Sequence, residues 1–308
     1  MRIIIARPQD WIDRSKSRKA KIWFYDVEAL YNGIEEACKN LGVKYEVSTR
    51  ITPGMAPGAT DDKIILAHHT YGYKPNVWHI KKGYCPNYMY WDKFGYSGWS
   101  ELAESYIPKK YSEEECNETL KYISNYITSN KSKIQQPDEA KVPNHPYILV
   151  LCQRPYDTVA KHSYITTLDL PKLVETAYQG TGYAVYTKPH PMYRGLTPGK
   201  KIEGSLHKLV NSASAVYTVN SGAGFESLFH GKHVFVSGKV DYQWECTIIK
   251  NLSDIISTKS QIVEPINWDK RIQFLTYCFQ DHFVNTYDLN SITKKIKRCI
   301  DEYEVSHS

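Results

Sequence analysis

The hydrophobic and polar positions divide the chain into short apolar runs separated by stretches of helical period. Arg2–Ala6 reads as a strand and passes into a polar, basic loop. Ile22–Phe24 has the pattern of a further short strand. Asp26 stands where a cap would open a helix of about sixteen residues, and Gly42 where a left-handed residue would close it. Val43–Val47 and Lys63–Ala67 follow as strands. Strand, helix, strand begins an α/β domain with a mostly parallel sheet.

From His68 to about Lys110 the periodicity weakens, and Tyr71, Tyr73, Trp78, Tyr84, Tyr96 and Trp99 crowd among glycines. A stretch of that kind predicts an irregular, functional loop region. Ser112 and Glu115 form a capping box for a helix running to about Asn130. The polar segment Gln135–Pro146 carries Pro137, Pro143 and Pro146, which places a boundary between a first domain, residues 1–140, and a second, residues 141–308.

The second half is more regular. Strands are predicted at Tyr147–Leu151, Ala184–Tyr186, Ala215–Val219 and His233–Val236, with helices at Pro171–Gln179, Leu206–Ser212 and Gly222–Phe229. Two more helices, near Lys270–Gln280 and Ser291–Tyr303, finish the chain. The fold class is α/β, two doubly wound domains, and such domains bind ligands beyond the carboxyl ends of their strands.

Composition refines this picture in three ways. An apolar fraction of 42% against 23% charged residues is that of a globular chain with a real core. Seven scattered cysteines, odd in number and never in CxxC spacing, argue against a disulfide framework and against a zinc site, and so for a reducing, cytoplasmic compartment. No segment reads as a signal peptide or membrane span. The net charge of +6 gathers at Arg14, Lys16, Arg18, Lys19 and Lys21, and again at Lys294, Lys295, Lys297 and Arg298. Each group reads either as a solvated surface or as a contact for an anionic partner.

Candidate chemistry falls at three strand ends of the second domain. After Tyr147–Leu151 come Gln153, Arg154, Pro155, Tyr156 and Asp157: an amide, a guanidinium and a carboxylate at a ligand-binding mouth. After Ala184–Tyr186 comes Lys188-Pro189-His190-Pro191, whose prolines stiffen the loop and aim Lys188 and His190. After Ala215–Val219 come Asn220, Ser221, Gly222, Ala223, Gly224, Phe225 and Glu226, a glycine-rich entry into a helix. Its free N–H groups suit a phosphate, Ser221 adds a hydroxyl, and Glu226 could accept from a ribose. Singly, Asp157 could cap a turn, His190 could pack within one, and the glycines could serve packing alone. Three such segments on successive strand ends favour a site.

These same residues carry a family resemblance. The Lys188–Pro191 loop, the segment Val219–Leu228 about thirty residues on, and His230-Gly231-Lys232-His233-Val234 together resemble the capsule polysaccharide biosynthesis transferases, which include the retaining β-Kdo transferases. The family shape is K-x-H-P, then Ser-x-x-Gly-Phe-Glu-Ala, then Gly-Lys-Pro-Val. Ser227 replaces the usual Ala here and His233 the usual Pro. The segment from Leu151 to Asp157 is similar to the family's leucine-glutamine strand end followed by an aspartate.

The resemblance covers roughly Tyr147–Ser237, and the first domain matches only loosely, through Asp92–Gly98. It implies a GT-B fold, two Rossmann-like domains facing a cleft, with a CMP- or UDP-linked sugar held by the second. It implies His190 and Ser221 on the phosphates, Glu226 near the ribose, and Asp157 as nucleophile of a retaining double displacement. Arg154, Lys188, Pro191, Asn220, Gly222 and Gly224 complete the nucleotide-sugar set, and Gln153 joins Asp157 in the catalytic one. Glycosyl transfer passes through an oxocarbenium-like state that a carboxylate stabilises or attacks, while fixed donors meet the departing phosphate. Lys188, His190 and the Gly222 helix could do so without a metal, and no Asp-x-Asp sequence occurs to chelate one.

The acceptor belongs to the first domain. His68 and His69 follow a strand, and one of them, His69 by preference, could be the base for the acceptor hydroxyl. Arg14, Lys16, Arg18 and Lys19 suit a polyanion, and Tyr96 and Trp99 could stack on sugar rings. The acceptor is an acidic surface or capsular glycan, or alternatively DNA with hydroxymethylated bases of the kind that phage glycosyltransferases modify. A non-catalytic GT-B-like binding module and a sugar-nucleotide epimerase are the competing classes. The first would have no need of Asp157, and the second no need of an acceptor surface.

Overall fold

The structure is a computed structural model and describes residues 1–9, 12–13, 23–48 and 62–308. Its strands in chain order are β1 (Arg2–Ala6), β2 (Tyr45–Ser48), β3 (Lys63–His68), β4 (Val77–Lys82), β5 (Tyr88–Asp92) and β6 (Tyr147–Leu151). They continue with β7 (Ala184–Lys188), β8 (Ala215–Thr218), β9 (Val234–Val236), β10 (Thr247–Ile248) and β11 (Phe283–Asn285). The chain forms two compact units: Met1–Glu104 with Tyr277–Ser308, and Ser105–Thr276.

In the first unit the sheet order is β11-β5-β4-β3-β1-β2. The strands β2, β1, β3 and β4 run parallel; β5 is antiparallel to β4, and β11 is antiparallel to β5. Register pairs Ile3 with Ile64 and Ile5 with Leu66, so alternate residues of both strands reach one face. There they meet the helix Trp23–Asn40 through Val27, Leu30, Tyr31, Ile34, Ala37 and Cys38, all fully buried at helical spacing. Gly42, at φ +67°, closes that helix as expected. Its N–H donates to Lys39, and that of Val43 to Cys38.

Three expectations for this unit are corrected. Trp23 and Phe24 begin the helix rather than a strand. Asp26 lies in the first turn instead of capping it, and its buried carboxylate accepts from the Asn87 N–H at 3.1 Å and from the Tyr287 hydroxyl at 3.3 Å. The aromatic stretch is in large part a β-hairpin, β4 and β5, with Trp78, Tyr90 and Trp91 buried. Tyr and Trp favour pleated, half-buried positions, so aromatic crowding marked strands.

The boundary also falls elsewhere than the polar segment suggested. The C-terminal helix Leu289–His307 joins the first unit, where Ile292, Ile296 and Cys299 enter its core. Its cationic cluster is divided: Lys294 and Lys297 are exposed, whereas the other two are engaged. Lys295 is buried and donates to the carbonyls of Asp281 and His282, and Arg298 grips Glu101 and Glu302. The helix Glu113–Thr128 joins the second unit instead, where Thr276 donates to Thr119 at 3.1 Å. Its predicted capping box is present. Polarity in residues 135–146 therefore marks a surface course within the second unit.

The sheet of the second unit, β10-β9-β8-β6-β7, is parallel throughout. Numbered within the unit, the order is 2-1-3-4-5, the doubly wound arrangement. Strand β6 is buried at every residue and anchors a core with Val174, Tyr217 and Phe235. The hydroxyls of Tyr178 and Tyr217 lie 2.8 Å apart, and Tyr217 reaches Thr258. Part of the tyrosine excess thus serves the core, with its polar tips paired. Among the described residues no helix is long and apolar enough to cross a membrane.

Two buried histidines give the first unit a pH dependence. His68 lies 3.1 Å from the Tyr31 hydroxyl, and His79 is held by the Thr70 hydroxyl and the Gly72 carbonyl. Burial pushes them down from 6.5 to about 3 and about 4. Both stay neutral when folded while the unfolded chain protonates, so their stabilisation is whole above about pH 6.5 and lost as pH falls toward 4. The loss is at most about 1.4 kcal/mol per pH unit for each histidine. Urea unfolding at about pH 7.5 and about pH 5 is expected to show it, with a shallower pH slope in His79→Gln. Equal stability at both pH values would contradict this account.

Candidate functional site

In a 2-1-3-4-5 sheet the strand order reverses between the first and third strands, and the crevice beyond their carboxyl ends is the binding position. Here those strands are β6 and β8. Leu151 pairs with Lys188 on one side and with Thr218 on the other. Gln153, His190 and Asn220 therefore stand two residues beyond one common level, on strands about 5 Å apart. The structure brings together in this way the three segments that the sequence singled out.

Two of these side chains are buried with a polar atom unanswered. Asn220 is 2% exposed and donates its Nδ2 to the Val159 carbonyl, which fixes the amide and leaves Oδ1 without a protein partner. Gln153 is 5% exposed, and its Oε1 is likewise unpartnered. A buried acceptor left unpaired costs about 1–3 kcal/mol. Two of them at a switch point fit a ligand that brings hydroxyl or N–H donors.

Around them lies a charged layer. Arg154 is exposed and reaches Asp157 at 3.2 Å. Asp157 precedes the 3-10 turn Thr158–His162, but its side chain makes no cap bond, so the capping role is not the one it fills. His190 accepts the Met192 N–H on Nδ1 at 3.1 Å, which leaves Nε2 to carry the proton. Burial, then the nearby Arg154 charge, push His190 down to about 4, with Asp157 opposing and Lys133 adding to the fall. At neutral pH it is an uncharged N–H donor. Lys133 is a neighbour that no motif in the sequence announced.

Other predicted site residues are placed differently. Lys188 is buried and donates to the Gly204 carbonyl at 2.7 Å, closing the loop that follows β7. Burial pushes its pKa down. Pro191 is exposed. Ser221 caps the helix Gly222–Leu228, accepting the Ala223 N–H, while its own carbonyl accepts the Tyr242 hydroxyl at 2.5 Å. A Cβ at Gly224 would run into that hydroxyl and lie 2.8 Å from Thr218 Cγ2. Gly224 is thus required by packing, whereas the sequence suggested the approach of a ligand. Glu226 is buried at 2% exposure and takes hydroxyl bonds from Tyr126 at 2.9 Å and Ser132 at 3.0 Å. Burial pushes it up to about 7 against those bonds.

In the first unit the parallel strands run 2-1-3-4, so the reversal lies between β1 and β3. His69 stands at the carboxyl end of β3, exposed and at φ +57°. His68 is buried and held neutral, which removes it as the base. Tyr96 is 2% exposed, with Lys81 Nζ 3.4 Å over its ring and Trp99 edge-on. Its ring is a core element, not an open platform. Trp99 is half-buried and stacks on Tyr71 at 4.1 Å. The Asp92 carboxylate accepts the N–H groups of Phe94, Gly95 and Glu101, which organises this loop. Arg14, Lys16, Arg18 and Lys19 lie outside the described residues.

Residues 107–259 match the family described as capsule polysaccharide biosynthesis protein. Among solved structures the chain is similar to the β-Kdo 2,7 transferase of Thermosulfurimonas dismutans KpsC, with 14% identity, a TM-score of 0.52, and coverage of 96% of this chain and 98% of that one. It is also similar to the β-Kdo 2,4 transferase of the same KpsC, with 15% identity, a TM-score of 0.50, and coverage of 90% and 98%. At such identities the likeness concerns the fold, which is GT-B. No curated protein matches the sequence.

The Glu226 network makes a prediction of its own. Tyr126→Phe removes one donor from a buried carboxylate and is expected to destabilise the second unit by about 1–3 kcal/mol. Because Glu226 titrates near 7 when folded, the penalty should be larger at about pH 8, where it is ionised, than at about pH 6. Urea unfolding of both proteins at both pH values measures this. A penalty independent of pH would mean that the hydroxyl does not serve the charged form.

Proposed function

We propose that this chain, which through residues 107–259 matches the family described as capsule polysaccharide biosynthesis protein, transfers a sugar from a CMP- or UDP-linked donor to an anionic glycan. The observation that carries the reading is the pair of unanswered acceptors, Gln153 Oε1 and Asn220 Oδ1, flanking the switch point beside Arg154, Asp157 and His190. The acceptors suit sugar or ribose hydroxyls, and the guanidinium and the neutral imidazole suit a phosphate.

In this reading Asp157 attacks the anomeric carbon as the bond to the nucleotide phosphate breaks. The leaving phosphate takes the electron pair and is met by Arg154 and by the His190 Nε2–H. The acceptor hydroxyl then displaces Asp157 from the anomeric carbon and gives its proton to a base. Two displacements at one carbon retain its configuration. Arg154 lies 3.2 Å from the Asp157 carboxylate, close enough to orient it toward the anomeric carbon.

The test is a mass-spectrometric transfer screen pairing CMP-, UDP- and GDP-sugars with acidic oligosaccharides and with hydroxymethylcytosine DNA. A sugar-sized gain on an oligosaccharide is expected. A gain on DNA alone would move the acceptor to the nucleic-acid reading, and donor consumption without product would leave hydrolysis or epimerisation. No consumption of any donor would favour a binding module. Asp157→Asn is expected to lower turnover by about a thousandfold or more with nucleotide affinity nearly unchanged. Undiminished turnover would take Asp157 out of the mechanism. His190→Ala removes one donor to a charged group and should weaken nucleotide binding roughly tenfold or more by calorimetry. An unaltered affinity would place the phosphate elsewhere.

A further inference from the structure

Away from both switch points, the first unit holds a cavity of about 210 Å³ between the last turns of the helix Leu289–His307 and the rim of β4 and β5. The helix contributes Cys299, Glu302, Tyr303, Ser306 and His307, a single face at i, i+3, i+4, i+7 and i+8. Farther back on the same helix, Ile292 and Ile296 are sealed into the core. Toward its end the stripe changes from aliphatic to aromatic and polar and lines open space.

The position of the cavity separates it from the acceptor end of the sheet. Asn76, which lines it, precedes Val77, the partner of Ile65 early in β3, and its carbonyl accepts the Ile65 N–H at 2.8 Å. His69 stands beyond the other end of β3. The cavity is therefore a second place on this unit.

Its chemistry is specific. The Tyr73 ring is 54% exposed at the rim, and Tyr303 and His307 stack 4.1 Å apart as a second aromatic wall. Buried Trp78 forms part of the lining, with the Arg298 guanidinium 5.1 Å from its ring. Lys93 and Glu302 pair at 2.9 Å within the lining, and the other Glu302 oxygen accepts from Arg298 at 2.9 Å. The ammonium still keeps N–H donors and the carboxylate keeps lone pairs. A vicinal diol satisfies both at once, each hydroxyl accepting from one group and donating to the other. The volume suits one ring and is below that of drug-sized sites.

We propose that this cavity is a non-catalytic glycan subsite that holds one neutral pyranose residue. Its C–H face lies on Tyr73, and adjacent hydroxyls bridge Lys93 and Glu302. A phosphate would meet a carboxylate there, and a wholly apolar ligand would strand the ion pair, so the uncharged, hydroxyl-rich ring is the class that fits. The inference stands apart from the transfer chemistry, because binding here requires neither Asp157 nor a nucleotide.

The experiment is saturation-transfer-difference NMR on the full chain with the methyl glycosides of glucose, galactose, mannose and N-acetylglucosamine. At least one should receive saturation, strongest on the protons of one ring face. Tyr73→Ala, at an exposed position, and Ser306→Trp, which fills the cavity, should each weaken binding roughly tenfold, while Tyr73→Phe keeps it. Asp157→Asn should leave the signal unchanged, and its loss in Tyr73→Ala is what places the site here rather than in the second unit's crevice. A thermal melt shows whether each variant is folded, and Tyr73→Ala alone decides if the tryptophan is not tolerated. Silence from all four sugars overturns the proposal. So does a signal that survives Tyr73→Ala, or one that disappears with Asp157→Asn.

Discussion

The chemistry of the second unit depends on the register of β6. Leu151 is paired on both sides, with Lys188 and with Thr218, and every residue of its strand is buried. A slip of one residue would carry Ile148 and Val150 from one packed face of the sheet to the other, so the packing of both faces also locks the level at which three loops leave it. Gln153, His190 and Asn220 are far apart in sequence and become neighbours through that constraint alone. Conserving the level, and not any one side chain, is what makes a crevice of three loops.

Buried carboxylates divide into organisers and reactants on the same physical grounds. Asp92 accepts three backbone N–H groups and fixes a loop. Asp26 is fastened by Asn87 and Tyr287. Glu226 is wrapped by Tyr126 and Ser132, which join the helix Glu113–Thr128 and its following loop to the helix Gly222–Leu228. Asp157 differs from all of these. It is partly open to solvent and holds one guanidinium that is itself exposed.

Much of this was legible in the sequence. The second unit's strands are continuous apolar runs between glycine and proline signals, so their ends, and hence Gln153, Asp157, His190 and Asn220, could be read directly. The hairpin β4–β5 could not, because alternation of Tyr and Trp carries no polar phase when both faces of the hairpin are covered. Nor could the allocation of the two terminal helices, which is decided by contacts such as Trp91 with Cys299 and Tyr126 with Glu226 at separations of 208 and 100 residues. The motif around Gly224 was located correctly and explained incompletely: the contact with Tyr242 that requires glycine comes from a later turn.

The placement of Lys188 and His190 bears on how a departing phosphate would be handled. The ammonium nearest the strand is spent on Gly204, and the imidazole beyond it is kept neutral by burial and by Arg154. Arg154, exposed, and Lys133 then supply charge near His190, supplemented by an uncharged N–H. Fixed donors stabilise charge as it develops, but a cluster of buried cations would hold the nucleotide equally before and after transfer and gain nothing in rate. Under the proposed reading, an exposed guanidinium and an oriented neutral donor would favour the transition state while letting the product go. In that reading the burial that keeps His190 neutral would be part of the chemistry, set by the same loop that Lys188 ties down.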